Sequence, residues 1–382
     1  HPALWTACGF VVIMCLASVT AKDITYTVGG WQAQTPGQAP QTPETIAKTL
    51  APIFQDYLTE TVGKKLSTPA KFVFRGVDIN AQTSSRDLIE SGGLDFLYTL
   101  SGGVACKAAE FGWVPLATQR NIVGTTVFGS DALVVFSLKN NTSIKNVEDL
   151  KRTKLGCGYL WSGPTYLQGY QLLRDHGVHI YRDMSQVRFY GPDYESYFQA
   201  VMRGELDVGF LASSWLTKNH PKEMDQLLVH ERKEGLMYEG VVYPYPVSKL
   251  TPTYGLIASN AIAWDVKRKV MDALEALNAS HPGMKLMKIA GWTSTMNYGA
   301  AYTTLVNSGV IHDTSDGAKT CRDPYSRYDI YQSITCPSDH YKVDYNLSTK
   351  QCDQAGLACP AGVICFCRPC QPKPKNLFSW ET

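Results

Sequence analysis

"LGCGYLWSGPTYLQGYQLLRDHG", residues 155–177, runs from an apolar stretch through a polar turn into a helical repeat. The apolar stretch stops at Gly158, and Ser162-Gly163-Pro164-Thr165 follows. Tyr166, Leu167, Tyr170, Leu172 and Leu173 then recur at helical spacing, and Gly177 stands where a C-cap belongs. Strand, short polar loop and helix, in that order, is the building unit of an α/β protein. A helix start leaves backbone N–H groups without partners, and its dipole favours negative charge. An oxyanion seated there gains hydrogen bonds without a full counter-charge. The same residues also suit plain capping, with Thr165 and Gln168 as a capping box and Pro164 fixing the approach. The two uses are compatible.

The rhythm continues on both sides. "ITYTVGG" predicts a strand, "ETIAKTLAPIFQDYLTETVG" a helix with an apolar stripe, and "KFVFRGV" a strand. "SSRDLIESG" predicts a short helix capped at Ser85, and "LDFLYTL" the next strand. That βαβαβ order predicts a parallel sheet in a first lobe. "DALVVFSL", "KLGCGYL", "VRFYG" and "DVGFLA", with helices over 165–176 and 193–203, predict a second αβ lobe. After "PVSKLTPTYGLIAS" only helices are expected, over 263–277, 283–290 and 298–307, packing back on the first lobe. The whole is an α/β fold of two lobes with a cleft beyond the carboxyl ends of the strands. Lobe one is placed at about 22–128 plus 250–310, and lobe two at about 129–249.

The totals fit this reading. The 382 residues are 44% hydrophobic and 18% charged, with a formal net charge of +2. That balance belongs to folded domains, and the lack of a Lys/Arg run excludes a nucleic-acid footprint. Residues 1–21 carry an apolar core from Ala3 to Val19, bordered by small residues, which predicts a secretory signal; a membrane anchor is the alternative. No Met starts the chain and no basic residue precedes the core, so the natural signal is expected to begin upstream of His1. Sequons at Asn140, Asn141, Asn278 and Asn346 mark glycosylation candidates on an extracellular chain.

Of eleven cysteines, Cys321, Cys336, Cys352, Cys359, Cys365, Cys367 and Cys370 crowd into the last part of the chain. In a secreted protein that density predicts a small disulfide-stapled module at 321–371, after a polar linker at 311–320 and before an extended segment at 372–382. Zinc on the 365–370 cysteines is the less favoured alternative. Six cysteines could make three bridges in any connectivity. Cys321, left over, could reach Cys106 or Cys157.

Four segments together resemble a known family: "SGGLDFLYTLSGGVACKAAEFGWVPLATQ", "SIKNVEDLKRTKLGCGYLWSGPTYLQGYQLLRDHGV", "FYGPDYESYFQAVMRGELDVGFLASSWL" and "ALNASHPGMKLMKIAGWTSTMNYGAAYTTLVNSG". In order and spacing they are similar to the phosphate/phosphite/phosphonate substrate-binding proteins of ABC transporters. That family has a type 2 periplasmic-binding, or Venus-flytrap, fold. The chain is most similar to versions that serve as extracytoplasmic sensor domains of bacterial histidine kinases. The cysteine tail resembles membrane-adjacent modules of eukaryotic microbial receptors.

The resemblance implies an interlobe site for a small anion such as phosphate or phosphonate. Its second-lobe turn maps onto Ser162, Gly163 and Thr165, with Tyr166 next to them. Pro164 departs from the family's hydroxyl-and-glycine run. The first-lobe loop maps onto Tyr98, Thr99 and Ser101. Ser213, past the end of "DVGFLA", and Tyr243 in "VVYPYP" complete the expected set. Asp95 and Asp207 open strands at the far end from the cleft and are read as structural. Arg75 and Arg120, the basic residues nearest the cleft loops, are read as surface ion pairs.

No G-x-S-x-G elbow, H-E-x-x-H pair or P-loop occurs, so neither an enzyme nor a cofactor is expected. Cys157 has no base beside it in sequence to make it a nucleophile. The leading expectation is an extracellular solute-sensing domain, with a membrane tether or signalling region outside this segment. A soluble uptake protein, or a surface glycoprotein that has lost its ligand, is the alternative.

Overall fold

The computed structural model describes residues 24–31, 42–77, 83–123, 126–158, 161–191, 193–232, 237–238, 241–242, 250–321, 340–342, 364–367 and 370–372. The signal segment, Tyr243, Asn346, Cys336, Cys352 and Cys359 lie outside them.

The first lobe grows from β1 (Ile24–Gly30). Thr42 caps α1 (Pro43–Ala51) by accepting from Thr45 N at 3.3 Å, and Pro43 takes the first helical position, where a missing N–H costs nothing. Pro52 cannot donate to the preceding turn. The helix widens there into a π turn, Pro52–Tyr57, before α2 (Leu58–Thr61). Ile46, Leu50, Ile53, Phe54 and Leu58 share its buried face. β2 (Ala70–Gly76), α3 (Thr83–Glu90) and β3 (Phe96–Thr99) follow. Ser85 lies inside α3 rather than capping it. β1 pairs with β2 and β3 in parallel, as the βαβαβ order requires.

The chain then runs through α4 (Ser101–Phe111), β4 (Val114–Val123) and β5 (Thr126–Phe128) to β6 (Ser130–Asp131). Lobe two contains β7 (Leu133–Leu138), β8 (Lys154–Cys157), α5 (Gln168–Asp175), α6 (Ile180–Asp183) and β9 (Gln186–Phe189). α7 (Tyr194–Met202), β10 (Val208–Ala212), α8 (Ser213–Asn219) and β11 (Leu227–Val229) complete it, with a small pair, β12 (Met237–Tyr238) and β13 (Val241–Val242). β8 is parallel to β9 and β10; β7 runs antiparallel to β10 and β11. Asp95 and Asp207 are structural, as expected. Their carboxylates accept from Thr27 N and Lys154 N at 2.8 and 2.7 Å, tying neighbouring strands.

The chain returns through β14 (Thr251–Pro252), which pairs antiparallel with β6 in the register Thr251↔Asp131. The two crossing strands thus meet at the junction of the lobes. β15 (Gly255–Ala258) then inserts antiparallel between β3 and β4. After α9 (Trp264–Glu275) and α10 (Pro282–Met287) comes β16 (Ile289–Ser294), an edge strand on β4. The expectation of helices alone fails there. The helix ends at Lys288 in a left-handed cap, and Trp292 of the strand is buried in the lobe-one core.

α11 (Gly299–Asn307) corrects the expected packing too. Ala301 and Leu305 share a buried cluster with Ala105 and Cys106 of α4 and with Tyr166, Leu167 and Leu173 of lobe two. α4 and α11 therefore join the lobes rather than cover one of them. Residues 311–320, read as a linker, enter a hairpin of β17 (Ile311–Asp313) and β18 (Lys319–Cys321). It is fastened to α4 by the Cys106–Cys321 disulfide and by Thr320 donating to Glu110 at 2.9 Å. Further on, β19 (His340–Lys342) pairs with β21 (Cys370–Pro372). β20 (Ile364–Cys367) adds antiparallel to β9 as the outer strand of the lobe-two sheet.

Candidate functional site

Two helix starts face each other between the lobes. α4 begins directly after β3, with Leu100 in extended conformation and no side chain capping its first turn. Opposite it, Ser162 is the N-cap of a π turn, Gly163–Leu167, that runs into α5. The cap is Ser162, whose Oγ accepts from Thr165 N at 3.4 Å, and not Thr165. Pro164 falls in the first turn, where its missing donor would be unpaired in any case.

The approach of the two starts is close. A Cβ on Gly102 would stand 2.5 Å from the Trp161 carbonyl oxygen, and one on Gly163 would stand 3.3 Å from Ser101 Oγ. Only glycine permits the backbone contact at Gly102; at Gly163 the tight neighbour is Thr251 Oγ1, 2.6 Å from where a Cβ would stand.

A cavity of about 320 Å³ opens at this meeting point. Ser101, Ser162, Gly163 and Pro164 form part of its wall. Asp131, Asn121 and Tyr254 come from the crossing strands and their neighbours, and Tyr194, Ser214, Trp215 and Lys218 from lobe two. Of the expected site residues, the structure therefore brings Ser101, Ser162 and Gly163 together on one wall.

The others stand behind it. Tyr98 is 1% exposed; its hydroxyl donates to Gln119 Oε1, and Gln119 Nε2 donates to Asn121 Oδ1 at the cavity. Its burial follows from a central strand covered on both faces. Tyr254 stacks on Tyr98 at 5.2 Å and on Trp31 at 6.0 Å, so on this side of the cleft Tyr254, and not Tyr98, is the aromatic residue in the wall. Thr99 turns back over α4, its Oγ1 2.5 Å from where a Gly103 Cβ would be. Thr165 Oγ1 lies against Gly158, 2.5 Å from a Cβ there. Tyr166 is buried edge-on against Phe189. Ser213 is fully buried, and its N–H donates to Ala132 O at 2.8 Å. Its neighbour Ser214 reaches the cavity instead.

Asp131 is among the cavity residues the sequence reading missed, with Asn121, Tyr194, Lys218 and Tyr254. It is 8% exposed, and its Oδ1 accepts from Ala132 N at 2.8 Å and Ser214 N at 3.2 Å. Its Oδ2 accepts from Ser214 Oγ. Burial pushes the carboxyl up to about 6, against the pull of the Ser214 and Ala132 donors. The Tyr194 phenol is raised to about 12, by burial first and by the Asp131 charge second. An acidic residue just before the wholly apolar "ALVVF" was the available signal.

Arg75 and Arg120 were given no ligand role in the sequence reading, and Lys218 was not foreseen there. Arg75 is exposed on β2, and neither it nor Arg120 reaches the cavity wall; Lys218 at the end of α8 does. Cys157 is fully buried, its thiol pushed well up by burial and its Sγ 3.5 Å from Arg188 O. A thiol held protonated in apolar surroundings is no nucleophile. Cys106, Glu110 and Cys321 cluster, but the two sulfurs are joined to each other, so they hold no metal. Asn140 and Asn278 are exposed and Asn141 is half-buried.

Residues 37–297 match the model of a family described as "ABC transporter, phosphonate, periplasmic substrate-binding protein". No curated protein matches the chain. Among solved structures, XAC2383 from Xanthomonas citri bound to ATP gives a TM-score of 0.52 at 11% identity, covering 74% of this chain and 97% of that one. Its chloride-bound form gives 0.51 at 12% identity, with 74% and 98% covered. PhnD1 from Prochlorococcus marinus (MIT 9301) in complex with methylphosphonate gives 0.48 at 16% identity, with 75% and 98% covered. At 11–12% identity the likeness to the two Xanthomonas citri structures is one of fold.

Proposed function

This chain belongs to the family of periplasmic substrate-binding proteins of phosphonate ABC transporters, and from that premise we propose that it takes a small oxyanion of the phosphonate class into the cleft between its lobes. Like its family, it is a binding protein and not an enzyme. The observation that carries the reading is the convergence of the Ser101 end of α4 and the Ser162–Gly163 turn on one cavity. The first turn of α4 and the N–H of Gly163, together with the Ser101 and Ser162 hydroxyls, would supply donors on both sides of an anion. Lys218 at the rim adds one charge, so most of the hold comes from neutral donors.

The sensing role is the finer part of the proposal. The C-terminal region is fastened to α4 through Cys321 and to lobe two through β20. A change in lobe angle on ligand binding would move both attachments, which suits an extracytoplasmic part of a larger receptor. A ligand produces that change only through unequal affinity for open and closed forms. Among the described residues no helix is long and apolar enough to cross a membrane.

Thermal-shift screening against phosphate, methylphosphonate, sulfate and small carboxylates tests the reading. Ligand at about 100 times its dissociation constant contributes about 2.7 kcal/mol, a rise of several degrees. The expected result is such a rise with a phosphonate or phosphate, lost in Ser162→Ala. No shift across the panel would overturn it.

A further inference from the structure

We infer that the cleft selects phosphonates whose organic arm ends in an anionic group, a carboxylate above all, and disfavours those ending in an ammonium, with Lys218 as the residue that makes the choice. The inference deepens the proposed function and rests on it. Ser101, Ser162 and Gly163 take the phosphonate head in that reading, and the cavity of about 320 Å³ is larger than the head needs. At about 30 Å³ per heavy atom, a water's share of the liquid, methylphosphonate fills roughly half of it. Among the described lining residues Lys218 is the one cation and Asp131 the one carboxylate. Lys218 follows Ser214 by one turn of α8, so the two share a face of that helix. Ser214 is bonded to the buried Asp131 and Lys218 is exposed, so the shared face climbs from the floor of the cavity to its mouth.

The groups at the mouth match an acceptor. No ion pair or hydrogen bond engages the Lys218 ammonium among the described residues. α8 approaches β4 of lobe one, which carries Asn121. A chain of hydrogen bonds sets the Asn121 amide. The Tyr98 hydroxyl donates to Gln119 Oε1 and Gln119 Nε2 donates to Asn121 Oδ1, which leaves the Asn121 N–H groups as the open end. Asn219 turns its amide nitrogen back to Trp215 O at 2.8 Å. Asp131 already accepts from Ala132 N, Ser214 N and Ser214 Oγ. A carboxylate arm therefore meets an uncommitted ammonium and an amide donor. An ammonium arm meets a like charge and a carboxylate that is already engaged, and like charges cost more in a partly dried cleft than in water. Trp215 and Tyr254, in the same wall, give the carbon arm apolar contact.

Calorimetric titration of the purified protein with 2-carboxyethylphosphonate, methylphosphonate and 2-aminoethylphosphonate tests this. Wild type is expected to bind the carboxylate arm at least about tenfold tighter than the ammonium arm, with methylphosphonate between them. In Lys218→Gln the two charged arms come within about threefold of each other, and in Lys218→Glu their order reverses. Lys222→Gln removes an exposed charge that does not line the cavity, and it keeps the wild-type ranking. Methylphosphonate binding with the two charged arms equal, or with the ammonium arm preferred, overturns the inference and leaves the proposed function intact. So does a ranking that survives in Lys218→Gln, or one that Lys222→Gln abolishes equally. Binding of none of the three overturns both.

Discussion

Ser162 serves the fold and the cleft together, because the oxygen that caps the turn also borders the cavity. Replacing it with alanine should cost about 1 kcal/mol of stability, read by urea melts. The same change should weaken anion binding by about tenfold or more, since bonds to charged groups run to about 1.5–3 kcal/mol. Unchanged affinity would remove Ser162 from the site. Asp131 gives a pH signature of its own. Its folded value, about 6, lies above the reference 3.8, so its stabilising contribution is complete below about pH 3.8 and is lost as pH rises through about 6. Asp131→Asn should therefore melt higher than wild type at pH 7.5, by on the order of 2 kcal/mol, with the gap shrinking toward pH 4. A constant gap would contradict the burial account. Ser101, Ser162 and Gly163 were legible in sequence because a polar turn between strand and helix has a local signature. Asp131 and Tyr254 were not. They reach the cleft through the pairing of strands at 130–131 and 251–252, which no local pattern announces.

The two helix starts act as elements through their glycines. An alanine at Gly102 sets a methyl against the Trp161 carbonyl, a backbone atom that cannot swing aside. Gly102→Ala is therefore expected to prop the lobes apart at this contact. Anion affinity should fall at least about tenfold, while α4 itself gains slightly from alanine's better helix propensity. Scattering should show a larger radius of gyration for the variant in the presence of ligand; an unchanged radius with unchanged affinity would refute the close approach. The element pattern explains which parts of the fold the sequence disclosed. Alternation of apolar strands and striped helices gave the parallel core of lobe one and most of lobe two. "IAGWTS" escaped because it is short, carries Gly291 at a register shift, and follows α10 with no proline between the two. Its strand character comes from the edge of β4 and the pocket that takes Trp292. The π turn after Pro52 was likewise hidden inside a stripe that reads as one continuous helix.

Over the whole molecule, α4 is the shared member. Its start faces the cleft, its middle packs with α11 and lobe two, and Cys106 ties it to the hairpin that ends at Cys321. A bridge between residues 215 apart restricts the unfolded chain strongly. Cys321→Ser is expected to lower stability by about 2–4 kcal/mol, measured as an earlier calorimetric melt, and an unchanged melt would refute the link. The spacing of the cysteines left Cys106 and Cys157 equally open as partners. Only the packing of α4 against β18 separates them, with Cys157 buried behind the cleft in lobe two. The central claim is that both lobes grip one anion with the ends of helices. A crystal structure of the protein grown with methylphosphonate tests it most directly. The account predicts the phosphonate oxygens within hydrogen-bond reach of the first turn of α4 at Ser101 and of the Ser162–Gly163 turn. A phosphonate bound elsewhere on the protein, or held by one lobe with the other turned away, would contradict it.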